Sequence, residues 1–419
     1  MREVTEMAGK SYTLPIGPVH PALKEPTMFK LTVEGEIVTA VDVQPGINHR
    51  GIEFIGMRRN PLQVLHLAER ICGICSIVHQ YSFALASEKA AGITEIPERA
   101  QYIRTIMAEL ERVHSHLLWA GVAAHELGFD TLLHWTWQLR EWVQDVLEII
   151  SGNRVNYAMY IQGGVRRDIS PEVIQKLKVM IADYRAGIDQ LCKAFTDDRV
   201  FRHRTMGVGV LTYKDAVETC AVGPTTRGSG VHKDVRIDQP FGGYADLDLD
   251  YCLPEKMGYE NNGDTYAKTL VRLQEVVQSL DIIEFCLDNM PPGPIRWESN
   301  MTKLLQHMKK AEGEALGLNE APRGEMIHYV KLNAGDENVS IWKVRASTYN
   351  NILAWTKMLP GCQIADVSII AAAVDPCIGC MDRVTVVDQD TGKEKLFSNE
   401  DFYRASIRKT RAYQRKVSP

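Results

Sequence analysis

The sequence has 419 residues, of which 45% are apolar and 24% charged, and its formal net charge is −5. A chain of this length and composition is typical of a folded globular protein with more than one structural layer. Because the net charge is negative, electrostatic attraction gives no reason to expect nucleic acid or an anionic membrane surface as the main partner, and both are set aside. No signal peptide and no apolar run long enough to span a membrane occur, so we expect the chain to be made and kept in the cytoplasm.

The N-terminal part of the chain is predicted to form a small sheet. From Met28 to Val43 apolar and polar residues alternate on both sides of Gly35, which is the pattern of a β-hairpin with a short turn. Past Arg59 apolar residues recur three and four positions apart, as they do on the buried face of a helix. Three helices, each bounded by Pro or Gly, are therefore predicted over residues 61–70, 97–127 and 131–153.

Two more long helices follow. Ser170 is predicted to cap one that begins at Pro171, where the missing N–H of proline costs nothing. The other is predicted to run roughly from Thr265 to Asn289. Between them, residues 206–256 are rich in Gly, Asp and Thr, which predicts irregular surface structure.

These patterns predict an α+β fold that is predominantly helical. We expect an N-terminal β region over residues 1–58 and a helical core over 59–300, a bundle of long helices that contains the irregular insertion at about 206–256. A mixed C-terminal part over 301–383 and a C-terminal extension over 384–419 complete the predicted organisation.

Nine cysteines in a reducing compartment indicate thiols or metal ligands in place of a disulfide framework. Four of them form two CxxC pairs, Cys72 with Cys75 and Cys377 with Cys380. A zinc ribbon closes its ligands within a few tens of residues, so the long interval between the pairs argues against a ribbon. Four sulfur ligands select Zn, Ni, Cu(I) or iron–sulfur chemistry over hard cations. Two unrelated pairs packed in a core, or one structural zinc, remain as alternatives.

The motifs around both pairs resemble those of a known family. RICGIC followed by His79, and DPCIGC near the end of the chain, resemble the two signature motifs of the large subunit of [NiFe] hydrogenases. The resemblance continues in GPVHPALKEP, NHRGIEFIGMRRN, SGNRVNY, GGVRRDI, GPTTRGSG and EAPRGEMIHYV, so it extends from about residue 14 to residue 383. These segments are most similar to the group 4, energy-converting membrane-associated hydrogenases, which are related to the quinone-site core subunit of respiratory complex I.

This resemblance implies a metal centre and a reaction. In the family, four thiolates hold Ni, and two of them bridge to an Fe that carries CO and cyanide. By motif position, Cys72 and Cys377 would be the terminal Ni ligands, and Cys75 and Cys380 the bridging ones. His79 would orient a bridging thiolate. The implied reaction is the reversible conversion of H2 into two protons and two electrons.

The resemblance also implies roles for residues around the metals. Glu25 matches a carboxylate close to a terminal cysteine, where it would relay protons, and Arg323 matches the arginine over the open side of the metals. Ser347 or Thr348 would donate a hydrogen bond to one cyanide, and the backbone of Pro322 and Arg323 would hold the other.

Glu53 is assigned in the same way, whereas the roles of His114 and His116 are predicted from their spacing. Glu53 corresponds to a ligand of a buried Mg in the soluble hydrogenases, but Arg383 stands where those enzymes have a histidine ligand, and this departure counts against Mg. His114 and His116 lie two apart on a predicted helix and point to different sides, so we expect packing or proton-path roles for them.

The family further implies partners. Electrons would pass to an iron–sulfur small subunit with a proximal cluster, because the other five cysteines form no iron–sulfur signature in this chain. Antiporter-like membrane subunits, a ferredoxin or a formate- or CO-oxidising module, and maturation factors are also implied, on the cytoplasmic side of the cell membrane.

Two points stay open in the sequence. In many relatives a protease cuts after the last motif, so residues 384–419 would be either a discarded peptide or a retained basic arm, with Ser398 as a predicted helix cap. An alternative function is a quinone- or sulfur-reducing core subunit without Ni, although such relatives have lost cysteines that this chain retains.

Overall fold

The computed structural model of the protein describes residues 11–381 and 399–417. Its first element is an antiparallel sheet in the order β1 (Ser11–Ile16), β2 (Met28–Glu34) and β3 (Ile37–Gln44). Gly35 makes the turn between β2 and β3 with a φ of +61°, a conformation that favours glycine. The predicted hairpin is therefore confirmed.

Helices form most of the rest of the chain. Those before the insertion are α1 (Ile52–Gly56), α2 (Pro61–Glu69), α3 (Ser76–Ala90), α4 (Glu98–Glu126), α5 (Asp130–Ser151), α6 (Pro171–Asp197) and α7 (Arg199–Thr205). Those within and after it are α8 (Tyr213–Glu218), α9 (Pro224–Arg227), α10 (Val235–Asp238), α11 (Thr265–Asp288), α12 (Met301–Lys310), α13 (Ser347–Asn351), α14 (Trp355–Met358), α15 (Val367–Ala373) and α16 (Asn399–Val417). Short turns of 3-10 helix occur at Gly242–Asp246, Pro254–Met257, Ile352–Ala354, Ile364–Asp366 and Ile378–Cys380.

The predicted start of α6 is confirmed in detail. The Ser170 hydroxyl accepts a hydrogen bond from Val173 N, and Pro171 is the first helical residue. This bond satisfies one of the N–H groups that the first turn of a helix leaves without a partner.

The insertion at 206–256 differs from its predicted place at the surface. It consists of short helices and turns, but residues 221–229 and 234–236 are buried. Arg227 and Arg236 enter the protein interior there and form ion pairs with buried carboxylates, among them Glu109 of α4 and Glu275 of α11. The prediction of surface structure is wrong for this middle part, because its polar residues have their charged partners inside the protein.

A second sheet follows α12. It is antiparallel, in the order β6 (Gly313–Ala321), β7 (Gly324–Leu332) and β8 (Ile341–Arg345), and β6 lies directly on α3. A Cβ atom added at Gly317 would lie 2.1 Å from Ser82 O of α3, so only glycine permits this close approach. A two-stranded ribbon, β4 (Tyr160–Ile161) with β5 (Gly164–Val165), lies between α5 and α6 in the chain.

Three hydrophobic clusters hold these elements together. The largest unites α4, α5, α6 and α11, the second joins α2 and α3 to the β6–β8 sheet, and the third joins the N-terminal sheet to α14 and α15. In the described part of the chain, no helix has both the length and the apolar character needed to cross a membrane. The predicted α+β, predominantly helical fold is confirmed, whereas the division into domains stays a prediction.

Candidate metal centre

Two loops carry the CxxC pairs. The first pair lies between α2 and α3, and Cys75 directly precedes the first turn of α3. The second pair follows Pro376, beyond the end of α15, in the turn of 3-10 helix at Ile378–Cys380. All four cysteines are buried in the second hydrophobic cluster, so packing between these elements brings the two pairs together.

The four sulfur atoms form one compact group, all within 4.8 Å of one another. The Sγ atom of Cys377 lies 2.9 Å from that of Cys380 and 3.1 Å from that of Cys72, and the Sγ atoms of Cys75 and Cys380 are 3.5 Å apart. Thiolates bound to one metal at about 2.3 Å lie no more than about 4.6 Å apart. The three sulfur separations of 2.9, 3.1 and 3.5 Å fall within this limit. No other group of three or more potential metal ligands is found in the described ranges.

The pKa values of the thiols are also those expected of a site that needs a cation. Hydrogen bonds from Cys377, Cys380 and Cys75 hold the pKa of the Cys72 thiol well below its usual value. The hydrogen bond with Cys377 raises the pKa of Cys75, and burial raises the pKa of Cys380. One thiolate thus forms readily and the others keep their protons, because buried thiolates repel one another unless a cation lies between them. The donor set suits a soft metal such as Ni.

A chain of hydrogen bonds reaches the sulfur group from the second sheet. Trp342 Nε1 lies 3.2 Å from His328 Nδ1, His328 Nε2 lies 3.1 Å from His79 Nδ1, and His79 Nε2 lies 3.2 Å from Cys380 Sγ. An indole N–H can only donate, so His328 accepts at Nδ1 and donates from Nε2. His79 therefore accepts at Nδ1 and donates to the sulfur of Cys380. Burial lowers the pKa of His79 to about 4, which keeps this ring neutral.

Arg50 connects the two loops. Its Nη2 donates to Ile71 O at 2.5 Å and to Gly379 O at 2.6 Å, and its Nη1 donates to Arg70 O at 3.1 Å. Ile71 and Gly379 each directly precede a cysteine of a different pair. One guanidinium thus fixes the backbone of both pairs at once.

Glu25 lies against the second pair. Its Oε2 accepts a hydrogen bond from Gly379 N at 3.0 Å, and its Oε1 lies 3.5 Å from Asn48 Nδ2. Burial raises the pKa of Glu25, and the charge of Cys72 raises it further, although the bond from Gly379 opposes them. The structure thus places the carboxyl group of Glu25 against the backbone of the second pair.

Arg323 is held beside the sulfur group by three contacts. Its Nη2 pairs with Asp375 Oδ1 at 2.8 Å, its Nε donates to Asp375 O at 2.9 Å, and its Nη1 donates to Ser115 Oγ at 3.1 Å. Burial alone would lower the pKa of Arg323, but the charges of Asp375 and the cysteines raise it well above its usual value, so the cation is permanent.

Three further predicted site residues lie close to Arg323 or to the second pair. Pro322 is buried in the turn between β6 and β7. Thr348 Oγ1 accepts a hydrogen bond from Cys377 N at 3.1 Å, whereas the Ser347 hydroxyl donates to Gly324 O at 2.7 Å. Of the two hydroxyls, Thr348 is therefore the one in contact with a cysteine.

The surroundings of Glu53 do not fit Mg²⁺. One carboxylate oxygen accepts from Val344 N at 2.9 Å, and the other pairs with Lys343 Nζ at 2.8 Å. Mg²⁺ requires several oxygen ligands in near-octahedral geometry, and a lysine in contact with the carboxylate competes for the same position. Arg383, the other residue of this prediction, lies outside the described residues.

A cavity of about 450 Å3 opens beside the sulfur group. Its wall is mostly apolar and includes Leu118, Trp119 and Val122 of α4. Of the four cysteines, Cys72 and Cys377 line the cavity, together with Glu25, Arg323 and Asp375. Small apolar molecules can therefore approach the first cysteine of each pair.

Sequence reasoning did not identify several residues of the site. Asp375 stands in the DPC motif, and this acidic residue next to the second pair was an available signal. Arg50 and His328 stand in the motifs NHRGIEFIGMRRN and EAPRGEMIHYV, which were a signal of the same kind. Ser115 had no such signal, because it reaches the site from a distant part of the chain.

Comparison with protein families matches two regions. Residues 126–383 match the family described as respiratory-chain NADH dehydrogenase, 49 Kd subunit, and residues 50–120 match nickel-dependent hydrogenases. The first match covers more than half of the chain.

Individual relatives agree with these matches. The chain is 45% identical to the membrane-bound hydrogenase subunit alpha of Pyrococcus furiosus, over 95% of this chain and 93% of the relative. It is 37% identical to the carbon monoxide-induced hydrogenase of Rhodospirillum rubrum, over 89% of this chain and 99% of the relative.

A solved structure shares the fold. It is a chain of the membrane-bound sulfane sulfur reductase, an archaeal respiratory membrane complex, with a TM-score of 0.82 and 30% identity over 89% of this chain and 98% of that one. With these identities over nearly full length, the chain belongs to the oxidoreductase family that unites the large subunits of group 4 membrane-associated [NiFe] hydrogenases with the 49 kDa subunit of the respiratory-chain NADH dehydrogenase.

Proposed function

We propose that the chain is the catalytic large subunit of a membrane-associated [NiFe] hydrogenase, which converts H2 reversibly into protons and electrons. One observation carries the proposal: the four buried sulfur atoms that lie within 4.8 Å of one another, next to a carboxyl group and a guanidinium. When bound there, a Ni–Fe group with CO and cyanide would supply the redox-active site for breaking or forming the H–H bond.

The four cysteines would have two different roles as metal ligands. Cys72 and Cys377 face the cavity, which supports their assignment as terminal Ni ligands. Cys380 accepts the hydrogen bond from His79, and a donor of this kind stabilises negative charge on a sulfur that serves two metals. Cys75 and Cys380 would be the bridging pair.

Glu25 would accept and release protons at the cavity side. Its Oε2 is occupied by the N–H of Gly379, so a proton would bind at Oε1, and burial, which raises the pKa of Glu25, favours binding of that proton. A Glu25→Gln variant should retain its metal content and lose most of its H2 turnover. Normal turnover in that variant would remove the relay role of Glu25 and leave the hydrogenase proposal intact.

Arg323 would hold a fixed positive charge at the end of the cavity. Asp375 binds it through both its backbone and its side chain, which orients the guanidinium toward the cavity wall instead of solvent. A preorganised cation there would stabilise charge that develops during H–H cleavage. The backbone of Pro322 and the hydroxyl of Thr348 would surround the diatomic ligands of Fe.

The partners belong to the same proposal. Electrons would leave to an iron–sulfur small subunit with a proximal cluster, and antiporter-like membrane subunits would couple the reaction to ion transport. A ferredoxin, or a formate- or CO-oxidising module, would exchange electrons with the complex on the cytoplasmic side of the cell membrane. The similarity to membrane-bound and CO-induced hydrogenases supports these partners.

We also infer that residues 384–419 are removed when maturation factors have inserted the metals. In the described part of this extension, the Tyr403 ring of α16 contacts the Phe54 ring of α1, and Glu400 lies 3.2 Å from Arg58, just after α1. Mass spectrometry of the chain from an active complex tests the inference, since a chain that ends at Pro419 would contradict it.

A second candidate is a sulfur- or quinone-reducing subunit that does not turn over H2. The cavity supports it, because about 450 Å3 is within the range of sites for much larger ligands than H2, and a sulfane sulfur reductase shares the fold. The retained set of four cysteines supports the hydrogenase instead.

One experiment separates the two functions. The complete complex is purified, its Ni and Fe content is measured, and infrared spectra are recorded in the region of CO and cyanide stretches. We expect one Ni per chain, these bands, and reduction of an artificial electron acceptor by H2. An active complex that lacks Ni and the bands but reduces polysulfide or quinone would overturn the hydrogenase proposal.

A further inference from the structure

Arg272 of α11 is a buried cation to which the proposed function assigns no role. Among the residues that the structure describes, it is the one buried arginine without an ion pair. The others each contact a carboxylate, and they are Arg104, Arg112, Arg227, Arg236 and Arg323. A cation is costly to bury unless other groups compensate its charge. The groups that compensate Arg272 are therefore informative about its role.

Arg272 contacts the end of α15. Its Nη2 donates to the carbonyl of Ala373, the last residue of that helix, at 2.9 Å. Its Nη1 donates to Lys268 O at 3.0 Å, one turn earlier on α11. The guanidinium carbon lies 4.3 Å from the centre of the Trp119 ring, a distance at which the face of an indole attracts a cation. Two carbonyl groups and an aromatic face thus take the place of a carboxylate.

Trp119 of α4 contacts the same end of α15. Its Nε1 donates to Ala372 O at 2.7 Å. The last carbonyls of a helix have no partner within that helix, so donors from elsewhere satisfy them when they are buried. Here α4 supplies one donor and α11 supplies the other, and the two donor side chains also contact each other. The end of α15 is therefore fixed between two long helices.

Asp375 follows directly from this fixed end of α15. Its φ is +54°, in a region that few residues other than glycine adopt. Such a conformation persists only when surrounding contacts hold the backbone in place. The Asp375 N–H donates to Ala372 O at 2.8 Å, and the Asp375 carbonyl accepts from Arg323 Nε at 2.9 Å. The carbonyl of Ala372 thus joins Trp119 to Asp375.

The carboxylate of Asp375 interacts with two guanidiniums. It binds Arg323 Nη2 directly, at 2.8 Å. Burial lowers the pKa of Arg272 to about 10, and the charge of Asp375 is the largest of the influences that raise it. Arg272 is therefore a cation at neutral pH and attracts the carboxylate that orients Arg323.

Arg272 acts on the cavity only through other residues. Trp119, Asp375 and Arg323 line the cavity, whereas Arg272 does not. None of the hydrogen bonds of Arg272 involves a cysteine. Any effect of Arg272 on the metal centre is therefore an effect on the position of the residues that line the cavity.

We propose that Arg272 and Trp119 are positioning residues for the metal centre. They fix the end of α15, which holds Asp375 in place, and Asp375 in turn orients the guanidinium of Arg323 toward the cavity. The meaning of this arrangement for catalysis rests on the proposed function. A fixed cation stabilises developing charge only if its position is set before the reaction, and a displacement of about 1 Å can cost about 100-fold in rate.

The test uses an Arg272→Met variant of the complete complex. Methionine fills much of the same space but removes the cation and both donors. Ni content should be unchanged, because no cysteine is affected, whereas H2-dependent reduction of an artificial acceptor should fall by at least about 10-fold. A milder variant, Trp119→Phe, keeps an aromatic face and removes only the N–H to Ala372 O, so its turnover should fall by a smaller factor.

A second readout does not depend on turnover. Backbone hydrogen exchange of residues 372–378 is measured by mass spectrometry in the complete complex. The Asp375 N–H, which bonds to Ala372 O, should exchange at least about 10-fold faster in Arg272→Met and faster than wild type in Trp119→Phe. Exchange in α6 should stay unchanged, because a general loss of stability would accelerate exchange throughout the chain.

A matched control is Arg99→Met, near the start of α4. Arg99 is also largely buried and donates to two backbone carbonyls, Pro291 O and Ile169 O, each at 2.9 Å. It precedes Trp119 by 20 residues on the same helix, which corresponds to about 30 Å. This variant should lose stability but keep wild-type turnover and wild-type exchange at residues 372–378.

Four results would overturn the positioning role while the hydrogenase proposal stands. They are full turnover of Arg272→Met, wild-type exchange at residues 372–378 in that variant, an equal loss of turnover in Arg99→Met, and loss of Ni from Arg272→Met. A wild-type complex without H2 turnover would overturn the proposed function instead. The exchange measurement would then still decide whether Arg272 holds Asp375 in place.

Discussion

At the scale of single residues, the direction of one hydrogen bond at the sulfur group depends on a tryptophan. The Trp342 indole donates to His328, which fixes the tautomer of His328 and, through it, that of His79. The N–H that points at Cys380 is thus determined by a side chain two residues further along the hydrogen-bonded chain. Removal of a group of this kind typically weakens metal affinity by about 10- to 100-fold.

Replacing His328 by Phe tests this chain. Trp342 Nε1 would lose its acceptor, which costs about 1–3 kcal/mol of unfolding free energy, and His79 would lose its fixed tautomer. We expect Ni to be retained about 10- to 100-fold less tightly, measured as Ni content after dialysis against a chelator. His232→Phe, at an exposed imidazole that stacks on Tyr251, is the control and should change neither quantity. Unchanged Ni retention in His328→Phe would show that the chain has no influence on the metal.

A second prediction at this scale concerns pH. In the unfolded chain a glutamate has its ordinary pKa of 4.5, whereas native Glu69 keeps its proton up to about pH 7 because burial raises its pKa. Between these values the native state binds more protons, so its stability falls as pH rises, by up to about 3 kcal/mol over the window. Glu69→Gln removes this dependence.

Denaturant unfolding at pH 5 and pH 8 measures the effect. The stability of Glu69→Gln relative to the wild type should increase from pH 5 to pH 8. Glu36→Gln, at an exposed position in the turn after β2, should show no such change. A relative stability of Glu69→Gln that is constant with pH would contradict the raised pKa.

At the scale of elements, most helices and the N-terminal hairpin follow from local patterns. Apolar periodicity, the Ser170 cap and the turn at Gly35 are signals within a few residues, and the structure agrees with them. The β4–β5 ribbon had no such signal, because two residues per strand are too few for alternation to be recognised. The burial of the insertion had none either, because its charged residues are paired with α4 and α11.

The ion pairs of the insertion lead to a prediction for α9. Arg227 binds Glu275 at 2.6 Å and Glu320 at 2.9 Å, and all three side chains are buried. Arg227→Ala leaves both carboxylates without this cation, so the free energy of unfolding should fall by about 3–5 kcal/mol. Arg204→Ala, which removes a partly exposed pair with Asp366, should cost no more than about 1 kcal/mol. Equal losses in the two variants would show that burial of the network carries no extra stability.

At the scale of the whole molecule, the site depends on two loops from opposite ends of the chain. The second hydrophobic cluster brings the loops together, and Arg50 fixes their backbones with bonds to Ile71 O and Gly379 O. Charge-assisted hydrogen bonds of this kind are stronger than neutral ones.

Arg50→Ala should therefore loosen the metal site more than the fold. We expect a loss of about 1–3 kcal/mol in unfolding free energy and Ni release that is at least about 10-fold faster in a chelator. Arg59→Ala is the control, since its side chain is exposed and donates to the neighbouring Arg58 O. Fast Ni release from both variants, or from neither, would contradict the role of Arg50.

The sequence by itself determined the helical α+β class, the positions of most long elements and the two cysteine pairs, because these depend on local periodicity and on short motifs. The motif context also indicated Glu25 and Arg323. Only the tertiary structure decided that the pairs meet, that Trp342 and His328 direct the bond to Cys380, and that Arg272 contacts the end of α15. Such contacts join residues far apart in the chain, so they follow from how the elements pack together and leave no pattern in the local sequence.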